Sequence, residues 1–136
     1  MKPSVFLDTN ILLRHLLQDD QEQSPKATAF LKRIEEGEVS VATSATVVFE
    51  TVFILERRYG RPKDQIRAAL LPLLELPGVA IAGKRGLRRV FELYADLHLP
   101  FADAHHAVYM EHLKLTKIAT FDKDFDRIPG ITRIAL

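Results

Sequence analysis

The chain has 136 residues, the usual size of one domain and enough to bury a substantial core. With 47% hydrophobic residues, 27% charged residues and a net charge of +1, it has the balance of an ordinary globular protein, which excludes holding nucleic acid by total charge alone. There are no cysteines, which excludes a disulfide scaffold, a thiolate metal site and a thiol nucleophile.

No apolar run approaches the ~20 residues needed to span a bilayer, and the N-terminus lacks a basic-then-apolar signal pattern. The expected setting is the cytoplasm, with no membrane partner.

The first element is the apolar run Ser4-Val5-Phe6-Leu7, a buried strand that ends at Asp8. Ile11, Leu12, Leu16 and Leu17 predict a helix ending near Asp19-Asp20. Ser24-Pro25 then starts a second helix, with a capping hydroxyl followed by a proline where no amide donor is needed. Its apolar residues Ala27, Phe30, Leu31 and Ile34 recur at helical spacing, and Gly37 closes it. Val39 to Ala42 is the second predicted strand. Thr43 or Ser44 caps a long helix to about Tyr59, stopped by Gly60, and Pro62 opens another in which Pro72 should break or kink the chain.

Pro77-Gly78 is a turn and Val79 to Ala82 a weak strand. Leu87, Val90, Phe91 and Tyr94 mark an amphipathic helix, and Pro100 separates it from a helix of about Ala102 to Leu113. Lys117 to Phe121 is a strand, followed by the polar stretch Asp122 to Arg127 and the Pro129-Gly130 turn. A short strand with Ile131, Ile134 and Leu136 apolar ends the chain. Short apolar strands alternating with helices predict one α/β domain over residues 1–136, a three-layer α/β/α sandwich around a mainly parallel sheet.

Ligands of open parallel sheets bind beyond the carboxyl ends of the strands. Asp8 follows the first strand and Asp122 follows the strand from Lys117, so both are expected at one edge of the sheet. Either could equally be a turn or helix cap. Glu50 is the only charged residue between Ala45 and Leu55, in a helix that is apolar nearly all round. A buried, unpaired carboxylate there would cost several kcal/mol, so a metal or an arginine such as Arg14 must compensate it. Asp103 opens its helix after Pro100, where an acid also favours the positive helix end. Carboxylates gathered at one edge repel one another, and a hard divalent cation removes that penalty. All-oxygen sites suit Mg²⁺ or Mn²⁺, and the chemistry such a site serves is phosphodiester hydrolysis.

Val5-Phe6-Leu7-Asp8-Thr9-Asn10, the isolated Glu50, Ala102-Asp103-Ala104 and Ala119-Thr120-Phe121-Asp122-Lys123-Asp124-Phe125 resemble the PIN-domain nucleases. The closest likeness is to the VapC-type toxins of toxin–antitoxin pairs, and it extends over essentially the whole chain. The resemblance implies that Asp8, Glu50, Asp103 and Asp122 are catalytic, metal-binding acids. Asn10 and Thr120 would help position them, with Asp124 as an accessory acid or a loop cap. It further implies a Mg²⁺- or Mn²⁺-dependent endoribonuclease, commonly a homodimer, that takes RNA as substrate and is silenced by a small antitoxin protein. The apolar helix Ala45 to Leu55 could supply interface as well as core.

His105-His106 departs from the small or aliphatic residues of that pattern. His106 is three residues from Asp103 and can share its helix face, as a phosphate or metal contact or as an ordinary polar residue. His15, His98 and His112 show no partner pattern. Basic residues cluster as Arg57-Arg58 with Arg61 and Lys63, and as Lys84-Arg85 with Arg88-Arg89. These are a solvated face or, in part, phosphate contacts, with Phe101, Tyr59 or Tyr109 as stacking aromatics. Two other readings compete. One is a non-cleaving PIN-fold module that binds RNA or protein, and the other a phosphoryl-accepting regulatory domain. The four filled acid positions argue against the first, and Asp-Thr-Asn after the first strand with Glu50 inside a helix argues against the second.

Overall fold

The structure is a computed structural model describing residues 2–136. It divides into two compact units, one ending at Lys84 and one running from Arg85 to Leu136.

In the first unit β1 (Val5–Phe6), α1 (Thr9–Leu17), α2 (Gln23–Glu35), β2 (Val41–Ala42), α3 (Ala45–Arg57), α4 (Lys63–Leu74) and β3 (Val79–Ala80) follow in order. The strands form a parallel sheet in the order β1-β2-β3, with Val5 opposite Val41 and Val41 opposite Val79. Val41, on the central strand, is wholly buried, together with Leu7, Leu12, Ile34, Val52, Ile66, Leu70 and Leu74. The expectation of a fully buried first strand is corrected: Val5 and Phe6 are exposed, and burial begins at Leu7. The strand is two residues long and has a ladder neighbour on one side only, so its flanks stay wet.

The helix ends follow their capping chemistry. Asp20, rather than Ser24, starts α2: its carboxylate accepts from the Glu22 and Gln23 amides at 3.0 and 2.6 Å, while the Ser24 hydroxyl accepts from the Asp20 amide at 3.2 Å. Those amide bonds, Gln23 first, hold the Asp20 carboxyl below its usual range. Ser44 caps α3 by accepting from the Val47 amide at 3.2 Å, as expected. Pro72 does not break α4. It sits two residues before the helix end, exposed, between the buried Leu70, Leu71 and Leu74 that hold the last turn down. Gly78 is required where it stands, because a Cβ there would lie 2.9 Å from the Ile34 side chain. Helix α1 and the later helix Phe101–Leu113 end on non-glycine residues in the left-handed region, Gln18 (φ 50°) and Lys114 (φ 59°). His15, without a partner pattern in the sequence, meets the Thr28 hydroxyl at 2.8 Å.

The second unit holds α5 (Leu87–Asp96), α6 (Phe101–Leu113), β4 (Lys117–Ile118) and β5 (Thr132–Arg133), with a 3-10 turn at Lys123–Arg127. Its core is aromatic. The Phe91 ring lies 5.1 Å from that of Phe101, and the Tyr94 ring lies 5.2 Å from Phe101, edge to face. This cluster fastens the first turn of α6, which carries Asp103, onto α5. Strands β4 and β5 pair in parallel, Lys117 with Thr132 and Ile118 with Arg133. The strand expected to reach Phe121 stops at Ile118, leaving Phe121 85% exposed. From Thr120 onward, side-chain oxygens capture the backbone amides and offer the chain an alternative to the ladder.

Among the described residues every strand pairing is parallel and helices dominate, the α/β class read from the sequence. Strands β1 and β4 pair in different sheets, so the single-sheet edge expected for Asp8 and Asp122 is not a feature of the strand pairing. Among the described residues no helix is long and apolar enough to cross a membrane.

Candidate functional site

In the second unit Asp103, Asp122 and Asp124 each offer a carboxylate oxygen, all within 4.8 Å of one another. Asp103 comes from the first turn of α6, and the other two come from the loop after β4. The loop is shaped by its own side chains. The Thr120 hydroxyl accepts from the Asp122 amide at 3.0 Å, and the Asp122 carboxylate accepts from the Asp124 amide at 2.8 Å. Arg127 braces the far side, 3.1 Å from the Asp124 carboxylate and 2.7 Å from the Leu97 carbonyl oxygen.

This closeness has an electrostatic consequence. Partial burial, then the hydrogen bond to Asp122 and its negative charge, with a smaller part from Asp124, push the Asp103 carboxyl up to about 6; the charge of His106 opposes them. Asp122 moves the other way, held ionised by the Asp124 amide and by the hydrogen bond from Asp103. One proton is thus shared by two carboxyls at mildly acid pH, with Asp103 as its holder. The donor set is oxygen throughout, which fits a hard divalent cation, and such a cation would replace that proton.

The first unit carries the other two acids. Asp8 is exposed at the N-cap of α1, yet its side chain makes no capping hydrogen bond. The reading of Asp8 as a mere cap is therefore not what the structure shows. Glu50 corrects the sequence argument more sharply. It is exposed, not buried, because the wet face of α3 is the row Thr46, Glu50, Phe53 and Arg57 at i, i+4, i+7 and i+11. The arginine alternative also falls, since Arg14 pairs with Asp19 at 2.9 Å. What holds Glu50 is the hydroxyl of Thr9, a buried residue that donates to its carboxylate. The carboxylate is thereby tied to the residue next to Asp8. Sequence reasoning missed Thr9 and favoured Asn10, which is exposed in the first turn of α1. Nothing in the sequence separates a threonine that orients an acid from one that merely opens a helix.

The family model for the PIN domain matches residues 5–131. The chain belongs to the PIN-domain family. PIN domains are generally nucleases, and the matched span carries all of the acids Asp8, Glu50, Asp103, Asp122 and Asp124. A comparison with curated proteins found no match.

Within this PIN domain the two histidines separate. His106 is exposed, and its influence on Asp103 is electrostatic, whereas His105 is half-buried, with its imidazole pKa lowered by burial and then by His106. Among the aromatics proposed for stacking, Phe101 is consumed by the core, while Tyr59 and Tyr109 are exposed.

The shared proton gives a test of the triad. A cation bound by Asp103 must displace it, so affinity for Mn²⁺ as a probe should rise with pH through about 6 and level off above. Calorimetric titration on either side of that pH checks this, and a pH-independent affinity would remove Asp103 from the ligand set.

Proposed function

We propose that this PIN-domain protein is a metal-dependent endoribonuclease, the toxin of a type II toxin–antitoxin pair, using Mg²⁺ or Mn²⁺. The observation that carries the reading is the triad Asp103, Asp122 and Asp124, whose oxygens converge within 4.8 Å; partial burial, and after it the acids Asp122 and Asp124, raise the Asp103 pKa to about 6. Acids so placed repel one another at neutral pH; Arg127 pairs with Asp124 at 3.1 Å and acts on Asp122 through its charge, while burial and the neighbouring acids hold the Asp103 pKa up. The toxin assignment, the homodimer and the small antitoxin partner are supported by the ordered motifs from Val5 to Asn10 and from Ala119 to Phe125.

When bound, the cation supplies an activated water and neutralises charge on the phosphodiester. The chain's own part is positioning. Asp103, Asp122 and Asp124 would hold the cation through their carboxylate oxygens, the Asp122 side chain being fixed by the Asp124 amide and by Asp103. Asp8 offers a carboxylate that no backbone amide occupies, and Thr9 orients Glu50.

The protein purified free of any antitoxin should cleave single-stranded RNA with Mg²⁺ or Mn²⁺, and EDTA should stop it. Asp8→Asn should abolish cleavage with an unchanged circular dichroism spectrum, because Asp8 makes no capping bond to lose. A variant that cuts like the parent would sink the carboxylate mechanism. Intact RNA in both metals would favour a non-cleaving module.

A further inference from the structure

We infer that the exposed face of α3 beyond Glu50 is a stacking and phosphate subsite for a nucleotide of single-stranded RNA flanking the one that is cut. This rests on the nuclease reading and extends it. Phe53 is 61% exposed, although a phenylalanine gains most from burial. The Arg57 guanidinium lies over its ring, 5.3 Å from the centroid. Phe53, Ile54, Arg57 and Arg58 line a shallow groove of about 420 Å³. The row is continuous with a candidate catalytic acid. Glu50, Phe53 and Arg57 succeed one another on the wet face of one helix, with rises of about 4.5 and 6 Å between them. A strand lying along α3 from Glu50 would therefore meet an aromatic face and then a guanidinium.

Charge selects the occupant. From Glu56 to Asp64 the chain carries Arg57, Arg58, Arg61 and Lys63 against those two acids, a local excess of cations in a protein of net charge +1. An apolar helix from a protein partner would have to desolvate the guanidinium groups lining the groove. A second copy laid on this face by two-fold symmetry would set Arg57 and Arg58 near their own equivalents. A polyanion with planar bases meets both components at once: rings stack on Phe53 and phosphates meet Arg57 and Arg58. Phe53 was not among the stacking aromatics read from the sequence, because its position in an apolar helix resembles core.

The test is binding of a short single-stranded RNA bearing 2-aminopurine to the full chain in EDTA, where no cleavage intervenes. Phe53→Ala and Phe53→Leu should each weaken binding about tenfold and lose the stacking quench of 2-aminopurine, whereas Phe53→Trp should bind within about twofold of the parent. Arg57→Ala should reduce the salt dependence by about one ion. The exposure of both side chains predicts unchanged folding, to be checked by thermal melting. If Phe53→Leu binds like the parent, the site reads apolarity and not bases, and the inference fails. It also fails if Phe53→Ala converts a dimer to a monomer in light scattering with RNA affinity unchanged. Cleavage in Mg²⁺ keeps the two readings apart: an active parent whose KM is indifferent to Phe53 overturns the subsite alone. Phe53-dependent binding by a parent that never cuts would support the subsite and overturn the nuclease.

Discussion

Asp122→Asn should reduce kcat for RNA cleavage by about a hundredfold or more and leave the protein as stable as before. The reasoning separates the two tasks of one side chain. As a structural group, Asp122 accepts the Asp124 amide at 2.8 Å, and an asparagine side-chain oxygen can accept that same bond with the same shape. As an electrostatic group it supplies one negative charge beside Asp103 and Asp124, and asparagine supplies none. A cation at such a site contributes several kcal/mol to the transition state, and about 1.4 kcal/mol corresponds to each factor of ten in rate. Loss of a ligand charge is therefore expected to cost two decades or more. Asp103 gives an internal check. Its pKa is raised first by burial and then by the hydrogen bond and charge of Asp122, so in the variant it should fall part of the way toward the ordinary carboxylate range, followed by NMR titration of the side-chain carboxyl. Full activity in the variant, or a Tm drop with no change in metal binding, would make Asp122 a loop cap only.

The second large effect is on stability. Phe91→Ala should destabilise the fold by about 3–5 kcal/mol, the usual cost of removing a fully buried aromatic. Phe91 is wholly buried, its ring packed at a tilt 5.1 Å from that of Phe101, two residues before Asp103. Phe121→Ala is the matched control: that ring is 85% exposed, and its loss should stay within about 0.5 kcal/mol. Urea denaturation of the three proteins decides it, and equal midpoints would contradict the aromatic core. Weakened metal binding by the Phe91 variant under conditions where it remains folded would show that this cluster also sets the aim of Asp103.

Much of this was legible beforehand, for identifiable reasons. Helices are announced by periodic apolar residues and by caps, so Ser44, Gly37 and Pro62 marked their ends well. Strands of two residues carry too little pattern to bound, so the sequence runs β4 on to Phe121 and buries β1, whereas β4 stops at Ile118 and β1 is exposed. The acids of the triad were named from motif order, and their convergence in space was not derivable from spacing. Asp124, an accessory acid or a loop cap by the sequence, stands in the structure with its oxygen as close to Asp103 and Asp122 as the triad requires. Glu50 illustrates a limit of composition. A helix apolar nearly all round implies that it is mostly buried, yet the face carrying Glu50 also carries Phe53, and exposed aromatics are indistinguishable from core ones in a sequence. Thr9 shows the same limit for hydrogen bonds, whose partner lies 41 residues away.

The left-handed helix ends hold a different consequence, one for engineering. Gln18 offsets its backbone cost by donating to the His15 carbonyl oxygen and the Thr28 hydroxyl at 2.7 and 3.0 Å. Lys114, equally left-handed at φ 59°, is exposed at the end of α6. Glycine adopts that conformation without steric cost, so Lys114 is where a thermally hardier version of this domain can be sought while every acid stays untouched. The natural chain has left that reserve of stability undrawn, as proteins selected only to clear a threshold commonly do.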